Sequence, residues 1–136
     1  MTLFQILKDI NYISDGTIEH QLDVYLPNLS QCPVLVYFHG GGLEFGTKSD
    51  IDKIYEALAA NGIAVVSANY RLYPNAVFPE YLYDAAAAVA WAYKNMSSYV
   101  TVTDLYVGGC SAGGYISQML CFDNRYVFSN AVYCLG

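Results

Sequence analysis

The sequence is poor in positive charge. Its 136 residues contain six lysines and arginines against twelve aspartates and glutamates, which gives a formal net charge of −6. Proteins that bind nucleic acid or anionic membrane surfaces need a basic patch to neutralise phosphates. Because the six positive residues are scattered along the chain, we expect neither nucleic acid nor a membrane as a partner.

Long apolar runs are also missing. Hydrophobic residues make up 55% of the sequence, yet no run reaches the roughly 18 residues that a membrane-spanning helix needs. Residues 1–9 lack the basic start and the apolar core of a signal peptide. These two features predict a cytoplasmic protein. The high apolar content predicts strands that are buried on both faces.

The four cysteines show no pattern of a metal site. Cys32, Cys110, Cys121 and Cys134 form no C-x-x-C pair, and they do not cluster with the two histidines. Zinc sites typically show such pairs and clusters. We therefore expect reduced, mostly buried cysteines, no metal centre and no cofactor.

The apolar pattern predicts the order of the secondary-structure elements. Residues 4–26 have the pattern of a β-hairpin that turns at residues 14–16. Strands and helices then alternate. The predicted strands are 34–38, 63–68, 101–109 and 130–135, and the predicted helices are 50–61, 80–95 and 112–121. In the first helix, Ile51, Ile54 and Leu58 are predicted to face the core.

This order predicts an α/β domain with a mostly parallel sheet and an antiparallel N-terminal hairpin. Residues 1–136 show no internal repeat and no linker, so we expect a single domain. Ligand sites in such sheets lie beyond the carboxyl ends of the strands. Two glycine-rich segments, 40–42 and 109–114, fall at such ends, which predicts one shared site.

Ser111 occupies the middle of a G-x-S-x-G motif between a predicted strand and a predicted helix. This is the context of a nucleophile elbow, a sharp turn that exposes the serine hydroxyl. Glycine fits at Gly109 and Gly113 because side chains there would collide. The helix that begins at Ala112 directs free N–H groups towards developing negative charge. By chance the motif occurs in about one chain in twenty of this length, so it is weak by itself.

The string His39-Gly40-Gly41-Gly42 follows a predicted strand. It is much rarer by chance, at about one chain in a thousand. Without side chains, its backbone N–H groups can approach a substrate oxygen closely, as an oxyanion hole requires. A serine nucleophile needs such donors together with a base that takes its proton. The two motifs in this order therefore favour ester cleavage.

Taken together, the motifs resemble the first half of an α/β-hydrolase of the hormone-sensitive-lipase-like group, which includes acetyl esterases and carboxylesterases. The matching segments are Asp23-Val-Tyr-Leu-Pro27, His39-Gly-Gly-Gly42, Asn69-Tyr-Arg-Leu-Tyr-Pro74 and Gly109-Cys-Ser-Ala-Gly-Gly114, with Gly46, Phe78-Pro79, Asp84 and Trp91. As an ordered set they are highly specific.

The resemblance implies a serine-dependent carboxylic-ester hydrolase that acts on a small-molecule ester with a short acyl chain, through an acyl-serine intermediate. It implies Ser111 as the nucleophile. The implied oxyanion-hole donors are the N–H groups of Gly41, Gly42 and Ala112. The implied supporting residues are His39 and Gly40 in the loop, Gly109 and Gly113 in the elbow, and Arg71 with Asp84 in the fold.

The chain departs from the group at two points. Cys110 stands where the group more often has an acidic or polar residue, and its thiol is an alternative nucleophile. The elbow, however, exposes its middle residue and not the one before it. The triad of this fold runs Ser, acid, His along the chain, but no histidine follows Ser111. Asp123 comes too soon after the serine, and His20 lies in the opening hairpin.

From the missing triad residues we expect a fragment. The chain should be an incomplete α/β-hydrolase domain that lacks the C-terminal strands, the triad acid and the triad histidine. Such a chain should be inactive or nearly so, although an oxyanion hole alone can give residual acceleration.

Three other interpretations stay open at this point. Residues 41–49 nearly match a phosphate-binding loop, but one residue is inserted before Lys48, and Glu44 would face the phosphate. Some proteins that resemble the group bind a small ligand without catalysis, although the intact Ser111 favours an enzyme. A truncated gene product without a function of its own is the third, since a fold does not imply a function. The sequence does not predict the oligomeric state.

Overall fold

The computed structural model describes residues 2–123, 125–126 and 132–134, the last three as backbone only. The strands are β1 (Phe4–Asn11), β2 (Gln21–Pro27), β3 (Gln31–Phe38), β4 (Ala64–Ala68), β5 (Thr101–Gly109) and β6 (Val132–Cys134). The helices are α1 (Asp52–Ala60), α2 (Glu80–Asn95) and α3 (Ala112–Phe122), with short 3₁₀ turns at Ile18–His20 and Met96–Ser98. Within the described ranges, no helix has the length and apolar character needed to cross a bilayer.

The strands form one sheet in the order β1-β2-β4-β3-β5-β6. β2 runs antiparallel to both β1 and β4, whereas β3 pairs in parallel with β4 and β5, and β5 pairs in parallel with β6. The sheet is therefore mostly parallel with an antiparallel hairpin at one edge. The predicted α/β fold class is confirmed.

Helices cover both faces of the central strands. Val34, Val36 and Phe38 alternate along β3 and are fully buried against α2 and α3 in the larger core cluster. Their spacing follows from the two-residue period of a strand. On the opposite face, α1 packs in a smaller cluster that contains Tyr25 and Val65. This arrangement explains the high apolar content of the sequence.

The predicted core face of α1 is wrong at Ile54 only, since Ile51 and Leu58 are partly buried and pack against the smaller core cluster. Tyr55 and Ala59 are the buried residues of this helix, whereas Ile54 is 54% exposed. The Tyr55 ring lies 5.3 Å from the ring of Tyr25 and 5.4 Å from that of Tyr37, measured between centroids. A tyrosine ring buries a large apolar surface, so the helix turns this side towards the sheet.

Several predicted strand limits differ from the structure, and one can be compared only in part. β3 begins at Gln31, and Pro33 lies in a register shift between Cys32 and Val34, where a residue without an N–H group is tolerated. The second strand of the hairpin begins at Gln21, because the three residues before it form a 3₁₀ turn. The strand predicted at 130–135 lies only partly within the described residues.

The prediction of four reduced cysteines is wrong for Cys121, which is disulfide-bonded. Cys32 is free and buried, and burial raises the pKa of its thiol. Cys110 is free and exposed. The side chain of Cys134 lies outside the described residues. A pairing between distant cysteines depends on their separation in the folded chain, which sequence spacing does not reveal.

Candidate active site

Ser111 lies in a tight turn between β5 and α3. Its φ is 55° and its ψ is −117°, and a positive φ is strained for a residue with a side chain. Hydrogen bonds hold both sides of the turn: the Gly113 N–H donates to the Cys110 carbonyl at 2.9 Å, and the Tyr115 N–H donates to the Ser111 carbonyl at 3.0 Å. The serine is therefore kept in a conformation that it would rarely adopt alone.

Gly109 and Gly113 allow β5, α3 and β3 to approach each other. A Cβ atom on Gly113 would overlap the carbonyl oxygen of Phe38 and lie 2.8 Å from that of His39. A Cβ atom on Gly109 would lie 2.6 Å from the Phe38 oxygen. Real Cβ atoms do not come so close to backbone oxygens, so the packing at both positions requires glycine.

The loop after β3 lies against this turn. A Cβ atom on Gly40 would be 2.9 Å from the Cys110 carbonyl oxygen and 3.4 Å from the Ser111 Cβ atom. The two glycine-rich segments therefore meet at the carboxyl ends of β3 and β5, which are neighbours in the sheet. Gly40 lies at this contact.

Several backbone N–H groups around this contact have no partner among the described residues, including three that the sequence predicts as oxyanion donors. Within the part of the chain that the structure describes, the N–H groups of Gly41, Gly42 and Ala112 donate to no protein atom. Ala112 is the first residue of α3, whose leading N–H groups have no acceptor within the helix. Gly41 and Gly42 have φ values of 130° and 66°, a region that favours glycine.

Polar groups of His39 form hydrogen bonds within and beside the loop that follows β3. Its ring stacks on Tyr70 with centroids 4.5 Å apart, and its Nδ1 lies 2.6 Å from the Gly40 carbonyl oxygen. Because a carbonyl only accepts, Nδ1 carries the proton. The Tyr70 hydroxyl donates to the His39 carbonyl at 2.7 Å. Burial lowers the pKa of His39, which favours the neutral ring.

His20 is held between two carboxylates. Its Nδ1 lies 2.7 Å from Asp15 Oδ2, and its Nε2 lies 3.0 Å from Asp84 Oδ1. The second contact has the distance but not the geometry of a hydrogen bond. Asp84 also forms a two-pronged ion pair with Arg71, at 2.8 and 2.9 Å. In the described chain, no hydrogen bond joins either histidine to Ser111.

Asp123 pairs with the neighbouring Arg125. The guanidinium holds the pKa of the Asp123 carboxyl at about 2, well below its usual range. This carboxylate is therefore engaged at the end of α3.

Among the described residues, two cavities open beside the loop that follows β3 and carries the candidate oxyanion donors. One has a volume of about 280 Å³, and its walls include Gly42, Tyr73 and Phe78. The other has a volume of about 500 Å³, and Ile54 and Cys110 contribute to its walls. Each cavity has one candidate oxyanion donor in its wall together with aromatic side chains: Gly42 in the first and Gly41 in the second.

Sequence reasoning missed two residues that hold this loop. Tyr70 lies in a segment that carries the family resemblance, but nothing in the pattern indicates that its hydroxyl reaches His39. Lys48 stands in the near match to a phosphate-binding loop, which does not indicate that its side chain is buried, yet it is 8% exposed. A lysine is rarely buried without a paired charge, but its burial cannot be read from the sequence.

Known proteins match this chain over most of its length. A family model described as BD-FAE matches residues 22–133. Carboxylesterase NlhH of Mycobacterium tuberculosis is 36% identical over 110 residues, covering 78% of this chain and 34% of that protein. Tuliposide A-converting enzyme b1 of Tulipa gesneriana is 31% identical over 128 residues, covering 82% and 34% respectively.

Solved esterase structures have the same fold. An esterase of Pyrobaculum calidifontis superposes with a TM-score of 0.72 at 31% identity, covering 86% of this chain and 40% of that one. Esterase B from Lactobacillus rhamnosis superposes with a TM-score of 0.81 at 23% identity, covering 87% and 39%. The chain spans about a third of the length of the curated relatives it matches.

Proposed function

The chain belongs to the BD-FAE family of α/β-hydrolases, and from that premise we propose that it carries the nucleophile and the oxyanion hole of a serine-dependent carboxylic-ester hydrolase. Ser111 is the nucleophile. The N–H groups of Gly41, Gly42 and Ala112 are the oxyanion donors. The substrate is a small-molecule ester with a short acyl chain.

One observation supports this proposal above the others. The N–H groups of Gly41, Gly42 and Ala112 have no partner among the described residues, and the loop that carries the first two lies against a serine whose backbone is strained. Strain of this kind is found where function requires it. N–H groups without acceptors are available to an oxygen that becomes negatively charged.

The reaction follows from these groups. A base takes the Ser111 hydroxyl proton as Oγ attacks the ester carbonyl carbon. The carbonyl oxygen becomes an oxyanion, which accepts hydrogen bonds from the three N–H groups. The intermediate collapses, the alcohol leaves with a proton, and an acyl-serine forms. Water then hydrolyses this acyl-serine, releasing the acid and restoring the hydroxyl.

The base is the part of the machinery that these residues do not supply. His39 donates to the loop backbone and His20 lies between carboxylates. We propose that the triad histidine and its acid come from sequence other than these 136 residues. The 136-residue chain alone should then hydrolyse esters very slowly, through the oxyanion hole only.

Hydrolysis of p-nitrophenyl acetate tests the proposal, using the longest gene product that contains these residues. Ser111→Ala should lower kcat by about 10⁴-fold or more, as loss of a serine nucleophile does elsewhere. Cys110→Ala should change it less than about threefold, because its thiol takes no part. If Ser111→Ala hydrolyses the ester as fast as the wild type, the assignment of the nucleophile is wrong.

A second measurement separates catalysis from ligand binding. A fluorophosphonate probe reacts with a serine only where a base activates it. The 136-residue chain should label no more than its denatured form, whereas the longest gene product should label at Ser111. If that product binds the ester without turnover and does not label, a non-catalytic ligand-binding protein is the correct interpretation.

A further inference from the structure

Lys48 lies at the far end of the loop that carries the candidate oxyanion donors. This loop follows β3 and leads into α1. Lys48 is 8% exposed, and lysines are almost never buried to this extent unless they are paired. Its charged group and both of its backbone polar groups have partners in other elements.

The Lys48 ammonium binds two carboxylates. Its Nζ lies 2.8 Å from Asp23 Oδ1 and 2.8 Å from Asp9 Oδ1. Asp23, on β2, is fully buried, and its Oδ2 has no partner among the described residues. A buried carboxylate is costly unless a positive charge offsets it. Lys48 is that charge for Asp23.

The Lys48 backbone forms hydrogen bonds with β4 and with the residue that follows β4. The Lys48 N–H donates to Asn69 Oδ1 at 2.7 Å, and the Lys48 carbonyl accepts from the Ser67 hydroxyl at 2.7 Å. Ser67 is completely buried. Side chain and backbone together therefore fix this residue against three strands of the sheet.

A bulge in β1 supplies the second carboxylate. The β1–β2 register shifts between Leu7 and Ile10, and Asp9 has a φ of 58°. The Asp9 N–H donates to the same Asp23 oxygen at 2.9 Å. Bulges often re-aim a side chain near a functional site. Here the bulge directs a carboxylate towards Lys48.

Gly46 connects Lys48 to the donor segment. It has a φ of 100°, and a Cβ atom there would lie 2.5 Å from both the Gly40 carbonyl oxygen and His39 Nδ1. Gly46 therefore packs directly on the residues that precede the donors, two positions before Lys48. A shift of Lys48 would move Gly46 off this contact.

We propose that Lys48 is a positioning residue of the oxyanion hole. Its ion pairs with Asp23 and Asp9 hold the loop so that the N–H groups of Gly41 and Gly42 face Ser111. The role of this geometry in ester hydrolysis rests on the function proposed above. The ordering of the loop by Lys48 does not.

Hydrogen exchange tests the ordering of the loop without any activity. The Glu44 and Phe45 N–H groups both donate to the Gly41 carbonyl, at 3.1 and 3.0 Å, so their exchange reports on the loop. In Lys48→Met they should exchange at least tenfold faster, while the amides of β3 and β5 keep their rates. Lys53→Met is the matched control, because Lys53 is exposed and, among the described residues, forms an ion pair with Glu56 alone.

A second variant guards against unfolding. Lys48→Met leaves Asp23 buried without a positive charge, which by itself can unfold a protein. The double variant Lys48→Met/Asp23→Asn removes both charges and should keep the sheet protected, with the same fast exchange at Glu44 and Phe45. Unchanged exchange at these two amides, or an equal increase over the whole sheet, would overturn the proposal.

Kinetics of the longest gene product test the catalytic consequence. The double variant should lower kcat for p-nitrophenyl acetate by about 10- to 100-fold and change KM by less than about threefold, because the oxyanion forms only in the transition state. An unchanged kcat in an active enzyme would overturn the positioning role. If the wild type hydrolyses no ester, the proposed function fails, and the exchange experiment still decides whether Lys48 orders the loop.

Discussion

Two adjacent glycines at the start of α3 have opposite constraints. A Cβ atom on Gly113 would overlap the Phe38 carbonyl oxygen, whereas the nearest atom to a Cβ on Gly114 is the Gly109 oxygen at 3.4 Å. The first position has no room for a methyl group, and the second has ordinary van der Waals space. Packing therefore requires glycine at position 113 but not at position 114.

Alanine substitutions at these two positions should change stability in opposite directions. Gly113→Ala should lower the free energy of unfolding by about 3 kcal/mol, because the new methyl group forces backbone atoms apart. Gly114→Ala should raise it by about 0.5–1 kcal/mol, because alanine loses less conformational entropy in a helix. Urea unfolding of both variants measures the difference. If both variants change the free energy of unfolding in the same direction, the close contact between Gly113 and the Phe38 carbonyl does not explain the effect of an added methyl group.

At the scale of elements, the Asp84 carboxylate of α2 forms an ion pair with a residue next to the sheet. Asp84 is 1% exposed and points from α2 to Arg71, in the segment after β4. It accepts hydrogen bonds from the Arg71 side chain and from the Arg71 backbone N–H at 2.9 Å. His20, just before β2, lies on its other side. The buried Asp84 carboxylate therefore connects α2 with the residues next to the ends of β2 and β4.

A double-mutant cycle measures this link. Asp84→Asn should lower the free energy of unfolding by about 1–3 kcal/mol, because Arg71 loses its charged partner but is itself partly solvated. Arg71→Met should also destabilise, but the double variant should cost less than the sum of the two single changes. Equilibrium unfolding of the four proteins gives the coupling energy. Strictly additive costs would mean that the pair contributes nothing beyond its separate packing.

At the scale of the whole molecule, buried tyrosines make stability depend on alkaline pH. The chain has 14 tyrosines. Burial raises the pKa of Tyr25 and of Tyr81 to about 12, and it also raises the pKa values of Tyr55 and Tyr70. A raised pKa means that the fold favours the neutral phenol. That contribution is complete below the unfolded pKa of about 10 and is lost as pH rises towards about 12.

The free energy of unfolding should therefore be level from pH 7 to about 9 and should fall steadily above about pH 10. Urea unfolding across this range, with tyrosinate absorbance as a second signal, measures the decline. Tyr25→Phe should make it shallower, and it should cost little at pH 7 because the Tyr25 hydroxyl has no partner among the described residues. Tyr73→Phe, at a 57% exposed ring, is the control. An equal decline in both variants would contradict this account.

Lys48 also contributes to the loss of stability at alkaline pH. Burial alone would lower its pKa, but the Asp23 and Asp9 carboxylates raise it above the ordinary lysine value. The ion pairs are therefore complete at neutral pH and are lost only as pH rises through this raised value. The loop should therefore stay ordered at neutral pH. It should loosen only at the alkaline pH at which the whole protein unfolds.

The sequence by itself determined the order of the elements, the mostly parallel sheet and the two glycine-rich turns at strand ends. These features are local, since periodicity, glycine and proline restrict the backbone within a few residues. α2 and β5 have their predicted limits for this reason. The family resemblance likewise depends on short motifs in a fixed order.

Only the tertiary structure decided that Tyr55 and not Ile54 of α1 is buried, that Cys121 forms a disulfide, and what holds the loop with the candidate oxyanion donors. Tyr55 and not Ile54 lies in the core, because the Tyr55 ring contacts tyrosines of β2 and β3. Lys48 reaches Asp9 across 39 positions of sequence. The energy of such contacts depends on distance and burial in the folded chain, and neither quantity is encoded in the spacing of residues along it.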